Sequence, residues 1–180
     1  RFRNHAHLAL RGVHIHLGSP IASPAPYVEA TRAALALIDD LDRSGITIDE
    51  LNLGGGFGID YGQGAPATLE EFGAALCPLL EPRVARGMRV LLEPGRPIVG
   101  NAGVLLTRVE YVKHGRSKKF VVVDSGMHQL VRPALYGAYH EIVNLTRAQE
   151  PATVVANVVG PICETGDQLG TERLLPAASE

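Results

Sequence analysis

Apolar residues along the first hundred positions switch between two periods. Three short runs, GVHIHLGS (12–19), IDELNLGGGFG (48–58) and RVLLEPGRP (89–97), predict strands that end in glycine or proline. Between them the period lengthens. Tyr27, Ala34, Leu37, Ile38 and Leu41 recur at helical spacing and predict a helix over 26–44, with Gly45 as its stop. Thr68 with Glu71 has the spacing of a capping box and opens a second helix through Leu69, Phe72, Leu76 and Leu80, which Pro78 and Pro82 should disturb. Strand, helix, strand, helix, strand is the order of a parallel α/β fold.

After residue 101 the pattern changes. AGVLLTRVEYVKHGRSKKFVVVDSG (102–126) holds two β-rich runs around the polar turn HGRSKK, a hairpin signal. TVVANVVGPI (153–162) predicts another strand, and 144–152 a loop. The chain should therefore divide into an α/β part, residues 1–101, and a mainly antiparallel β part, residues 102–180. In the first part the unusual residues cluster just where each strand should end: His16 to Ser19, Gly54 to Gly56, and Glu93 to Arg96. Parallel sheets and barrels carry their ligand and catalytic groups at that end.

Composition narrows the classes. The 180 residues are 46% apolar and 20% charged with a net charge of −2, values of an ordinary globular protein. They give no reason to expect a nucleic-acid or membrane-surface partner. No apolar run approaches the ~18 residues of a membrane-spanning helix. Cys77 and Cys163 stand in unlike contexts without metal-type spacing, so a disulfide framework is not expected and a reducing cytoplasm is. The three lysines, Lys113, Lys118 and Lys119, all fall around the predicted hairpin turn. A first residue other than methionine and an end without a closing element read as a piece of a longer protein.

Each motif admits more than one chemistry. GGGFG (54–58) lets backbone N–H groups approach an anion, and equally makes a tight turn. It is not a P-loop, since no Gly-Lys-Ser/Thr follows, and its third glycine is misplaced for a dinucleotide fingerprint. EPGR (93–96) is either a site acid and guanidinium or a surface ion pair. His14 and His16 share a strand face and resemble a metal pair, but His5, His7, His114, His128 and His140 lie at no strand end that would complete the ligand set. No metal is therefore expected. Arg132 and Tyr136, four apart in GMHQLVRPALYGAYHE (126–141), share one face if the segment is helical. In GPICETGD (160–167), Cys163 is open to four readings: disulfide, metal ligand, reactive thiol or inert core residue.

Taken in order, HIHLGS, LNLGGGFGIDY, LLEPGRPIVG, VDSGMHQLVRPALYGAYHEI and GPICETGD resemble the diaminopimelate decarboxylases over residues 10 to 176. These are pyridoxal-phosphate enzymes of the alanine-racemase-like barrel type. EPGR and GGGF also occur in ornithine and arginine decarboxylases, whereas RPALYGAYHE and C-E-(S/T)-G-D are more specific. The fold class implied is α/β plus β: the C-terminal part of a (β/α)8 TIM barrel that binds pyridoxal 5'-phosphate, then part of a mainly antiparallel β-barrel or sandwich domain. The activity implied is decarboxylation of meso-diaminopimelate to L-lysine, the last step of lysine biosynthesis, in a cytoplasmic homodimer with shared active sites.

The resemblance also implies roles. His16 would stack on the cofactor ring, and Ser19, Gly54, Gly55 and Gly56, with the backbone at Gly95 and Arg96, would hold its phosphate. Glu93 would bond the pyridine nitrogen; a carboxylate there keeps the ring protonated and able to accept electrons. Arg96, Arg132 and Tyr136 would grip substrate carboxylates, and Glu164 the distal amino group. Cys163 would protonate the carbanion left when CO2 departs, reaching across the dimer with Glu164. Diaminopimelate differs from ornithine and lysine by a distal carboxylate, and arginine binds carboxylate bidentately, so Arg132 is the specificity candidate.

Pro20, Thr165 and His128 depart from the family's usual glutamine, serine and asparagine. The larger departure is the lysine that carries the cofactor, which none of the three lysines matches and which would lie upstream of Arg1. The isolated chain is accordingly expected to be inactive, and unstable through open sheet edges. Two alternatives stay open: a decarboxylase of another basic amino acid, or a non-catalytic remnant that binds phosphate compounds.

Overall fold

The computed structural model describes residues 5–62 and 64–178. They fall into two compact units, Arg1–Gly103 and Val104–Glu180.

In the first unit, strands β1 (Gly12–His14), β2 (Glu50–Asn52) and β3 (Arg89–Leu91) form a parallel sheet in the order β1-β2-β3. Helices α1 (Ala25–Arg43) and α2 (Leu69–Val84) make the crossovers, and a short helix, α3 (Arg96–Val99), follows β3. Val13, Leu51 and Val90 are in register across the three strands and pack into the core with the helices. Leu51 and Leu53 are fully buried. The strands are shorter than the runs that predicted them. Backbone bonds still tie the chain beyond them, Ile15 N–H to the Asn52 carbonyl, Leu53 N–H to the Leu91 carbonyl and Glu93 N–H to the Gly54 carbonyl, but the positive φ of Gly54 and Gly56 ends the regular extended run.

The stripe on α1 is Tyr27, Thr31, Ala34 and Ile38, all buried, and the helix ends at Arg43, two residues before Gly45, whose φ is 73°. Around Tyr27 the aromatic rings interlock: Phe57 stacks on it with centroids 5.0 Å apart, and Phe72 meets both rings edge-on.

Thr68 and Glu71 form the full reciprocal capping box at the start of α2. Thr68→Ala removes the acceptor for one otherwise orphaned N–H and should lower stability by about 1 kcal/mol, read as a shift in the unfolding midpoint. Contrary to expectation, α2 runs unbroken through Pro78 and Pro82. Each proline removes one helical hydrogen bond, but Phe72, Leu76 and Leu80 bury one face of the helix in the core. Tertiary burial outweighs the local penalty here.

The second unit is a four-stranded sheet in the order β4-β5-β6-β7: β4 (Val109–His114), β5 (Lys119–Val123), β6 (Val154–Val159) and β7 (Gln168–Leu175). β4 and β5 form the expected hairpin around HGRSKK, closed by the Gly115 N–H donating to the Lys118 carbonyl at 2.8 Å. β6 pairs antiparallel with β7, but β5 and β6 are parallel. The sheet is therefore mixed. The long connection over residues 124–153 returns the chain to the end where β5 began, as a parallel pairing requires. It contains helix α4 (Arg132–Tyr136) and a 3-10 turn, Leu145–Arg147, within the predicted loop. Val121, Val123, Ala156, Val158 and Leu169 form the core.

Candidate functional site

In the first unit the singled-out residues meet just past the C-terminal ends of β1, β2 and β3. Three consecutive glycines make this approach possible. A Cβ at Gly54, Gly55 or Gly56 would come closer than 3.0 Å to the carbonyl oxygen of Ile15, Glu93 or Gly18 respectively. The GGG run thus lets β2's end pass between the ends of β1 and β3 at backbone contact distance. The space where side chains would stand is filled by protein, so these residues can offer a ligand only backbone N–H groups. Gly56, at φ 104°, also needs glycine for its conformation.

The tie that holds this run was not visible in the sequence. Tyr27, completely buried, donates its hydroxyl to the Gly55 carbonyl at 2.5 Å. Burial pushes its phenol pKa up, which keeps the group protonated and able to donate. Because C=O and N–H of a trans peptide point opposite ways, pinning the Gly55 carbonyl towards Tyr27 turns the Gly56 N–H away from it.

Glu93 is half exposed and held from the ends of both other strands, β2 and β1. Its Oε1 accepts from Asn52 Nδ2 at 2.8 Å and lies 3.4 Å from His14 Nε2. Asn52 also accepts from the Gly54 N–H at 2.8 Å, so one side chain orients both the acid and the glycine run. The signal was present as the polar residue in Leu-Asn-Leu, the last position of β2. His16 falls beyond β1, where its Nδ1 faces the Gly55 N–H at 3.4 Å. The two histidines of HIH therefore do different things: His14 meets the acid and His16 the glycine run. Among the described residues no group of three or more His, Cys, Asp or Glu side chains is arranged to hold a metal ion.

Arg96, at the start of α3, donates from Nη2 to the Ser19 hydroxyl at 2.8 Å. Its Nη1 is buried and has no hydrogen-bond partner among the described residues. A guanidinium nitrogen buried without an acceptor is costly, and an anion beside it relieves the cost. Ser19 supplies a hydroxyl at the same spot, and a Cβ at Gly95 or Gly18 would meet nothing within 4 Å, so the backbone there is open to approach. The donor set, one guanidinium, one hydroxyl and glycine backbone, fits a phosphate.

The remaining candidates belong to the second unit. Arg132 and Tyr136 are the two ends of α4; Tyr136 is exposed, and Arg132 Nη1 lies 3.1 Å from His140 Nε2. Cys163 and Glu164 sit on an exposed loop between β6 and β7. Asp167, the last residue of CETGD, is buried and anchors that loop: its carboxylate accepts from the N–H groups of Met127 at 2.6 Å and Ile162 at 2.8 Å. Gly126 and Gly160 are bare where its oxygens lie, since a Cβ at either would overlap them. Cys163 is therefore an exposed thiol and not a core residue, and it is not bonded to Cys77 within the chain.

Residues 20–180 match the family described as pyridoxal-dependent decarboxylase, C-terminal sheet domain. The chain is 46% identical over 168 residues to a diaminopimelate decarboxylase of Neisseria meningitidis serogroup B, covering 93% of this chain and 40% of that one. To a diaminopimelate decarboxylase of Aquifex aeolicus it is 43% identical over 167 residues, covering 92% and 39%. A solved diaminopimelate decarboxylase of Helicobacter pylori, complexed with L-lysine, superposes with a TM-score of 0.86 at 32% identity, covering 98% of this chain and 43% of that one. The chain thus spans about 40% of the length of the relatives it matches.

Proposed function

The chain belongs to the pyridoxal-dependent decarboxylase family, and on that premise we propose that the protein removes CO2 from meso-diaminopimelate to leave L-lysine, with pyridoxal 5'-phosphate as cofactor. The observation that carries the proposal is the buried, partnerless Nη1 of Arg96 beside the Ser19 hydroxyl at the strand ends. It marks a place in the first unit that an anionic group completes. The strand ends there would be those of a (β/α)8 barrel, of which β1-α1-β2-α2-β3 is a stretch, and the mixed sheet would belong to a separate β domain.

The bound cofactor supplies an electron-withdrawing ring that takes up the charge left on the substrate when CO2 departs. Ser19, Arg96 and the backbone of Gly56 and Gly95 would hold its phosphate, while the N–H groups of Gly54 and Gly55, engaged by Asn52 and His16, fix the run that presents Gly56. Glu93, oriented by Asn52, would keep a proton at the ring nitrogen, and His16 would lie against the ring. Arg96 also offers a guanidinium to a substrate carboxylate. Arg132 and Tyr136 bind the distal carboxylate and Glu164 the distal amino group. Cys163 delivers the proton that replaces CO2; a thiol that returns a proton is a reasonable acid for a carbanion. In a homodimer, Cys163 and Glu164 serve the partner subunit's site. No helix among the described residues is long and apolar enough to cross a membrane, and two free cysteines accord with a cytoplasmic enzyme.

Arg132→Ala tests the substrate. Losing a charge-assisted carboxylate contact should lower kcat/KM for meso-diaminopimelate about 10²-fold. Turnover of L-ornithine or L-lysine, which lack that carboxylate, should change little. Equal losses on all three, or a wild-type preference for ornithine, would overturn the substrate assignment.

A further inference from the structure

We propose that His140 is a positioning residue for Arg132, its imidazole fixing the direction of the guanidinium. The inference rests on the reading of Arg132 as the substrate-binding cation and adds what makes that cation selective.

The geometry starts from α4. Arg132 is its first residue, and Gly137, at φ 61°, takes the left-handed conformation that reverses the chain at its end. The Gly137 and Ala138 N–H groups close the turn on the Pro133 and Arg132 carbonyls at 3.0 and 3.3 Å. The reversal brings His140 back beside the start of the helix, with Nε2 3.1 Å from Arg132 Nη1. Arginine has only donors, so Nε2 is the acceptor and the ring carries its proton on Nδ1. Burial, and then the charges of Arg132 and Arg173, push the imidazole below its ordinary pKa and keep it in the neutral form that can accept.

A positioning group must itself be held. Arg173, on β7, donates from Nη2 to the His140 carbonyl at 3.0 Å, and its guanidinium lies 3.9 Å from the centre of the Tyr139 ring. Tyr139 in turn donates its hydroxyl to Glu141 at 2.5 Å. The order of support runs from the sheet to Arg173, then to residues 139–140, and only then to Arg132. Arginine's long side chain has many rotamers, and a bidentate grip on a carboxylate works in few of them. An acceptor fixed to the sheet selects among those rotamers before the substrate arrives, which is preorganisation.

Amide replacements separate position from bulk. In His140→Gln the side-chain oxygen can stand where Nε2 does; in His140→Asn it reaches only as far as Nδ1, and His140→Leu offers no acceptor. In the cofactor-loaded full-length protein, Leu and Asn should raise KM for meso-diaminopimelate about tenfold with kcat nearly unchanged, and Gln should restore it. Crystal structures supply the second readout: the Arg132 guanidinium should leave its place in the Leu and Asn variants and return in Gln. If Arg132 stays in place without the acceptor, or if Gln fails as Asn does, the proposal is wrong. An Arg132→Ala variant with unchanged KM would instead remove the substrate role of Arg132. The guanidinium's position in the His140 variants still decides the positioning role.

Discussion

Gly55→Ala is expected to destabilise the protein by about 3 kcal/mol, the upper range of overpacking, and to abolish activity with it. The added methyl would stand within 3.0 Å of the Glu93 carbonyl oxygen, a backbone atom that cannot rotate away. The Glu93 N–H is bonded to the Gly54 carbonyl at 2.8 Å, so pushing the end of β3 outward also breaks that bond. Withdrawal of Gly55 instead pulls its carbonyl off Tyr27 and leaves a buried hydroxyl without an acceptor. No third direction exists, because Gly54 and Gly56 are packed as tightly on the β1 side.

Gly73→Ala provides the contrast. Gly73 lies inside α2 with nothing within 4 Å of the added Cβ, so the same substitution should stabilise by about 0.5–1 kcal/mol. Urea or thermal unfolding of the two variants should therefore move the midpoint in opposite directions. An unchanged midpoint for Gly55→Ala would mean that the three strand ends are not packed at backbone contact, and the site geometry would fall with it.

The features legible in the sequence were those with a local cause. Tyr27, Ala34 and Ile38 share the buried face of α1 because their spacing matches the helical repeat, and that repeat is written in the chain. Thr68 and Glu71 bond each other's backbone three residues apart, and HGRSKK turns where polar residues interrupt two apolar runs. The clustering of His16, Gly54, Gly55, Gly56, Glu93 and Arg96 was also legible, since parallel strands separated by helices put all their C-terminal ends on one side.

What stayed hidden depended on partners distant in sequence. Pro78 and Pro82 read as helix breakers because the burial of Phe72, Leu76 and Leu80 against the sheet is not a local property. The parallel pairing of β5 with β6 is a choice of neighbour that no period records. Asn52, Tyr27, Asp167 and His140 act on residues from 2 to 41 positions away through single hydrogen bonds. Each is an unusual polar residue in an apolar or glycine-rich context, which flags a role without naming the partner.

Glu93→Gln should lower kcat by about 10³-fold while cofactor absorbance and unfolding midpoint stay near their original values. Glutamine keeps the length of the side chain and an oxygen for Asn52 Nδ2, the 2.8 Å bond that orients the acid. Only the negative charge is lost, and the proposed role, keeping a proton on the ring nitrogen, is a role of charge. Asn52→Ala makes the reverse change, leaving the charge and removing the bond that aims it. It also frees the Gly54 N–H, so it should lower kcat more modestly, by about tenfold, and lower stability as well. A purely structural Glu93 predicts the opposite order, with the isosteric amide nearly harmless and the Asn52 truncation the worse of the two. Comparing kcat of the two variants at saturating cofactor therefore separates a carboxylate needed for its charge from one needed for its fit. If Glu93→Gln retains more than about a tenth of wild-type kcat, the assignment of Glu93 to the ring nitrogen does not stand.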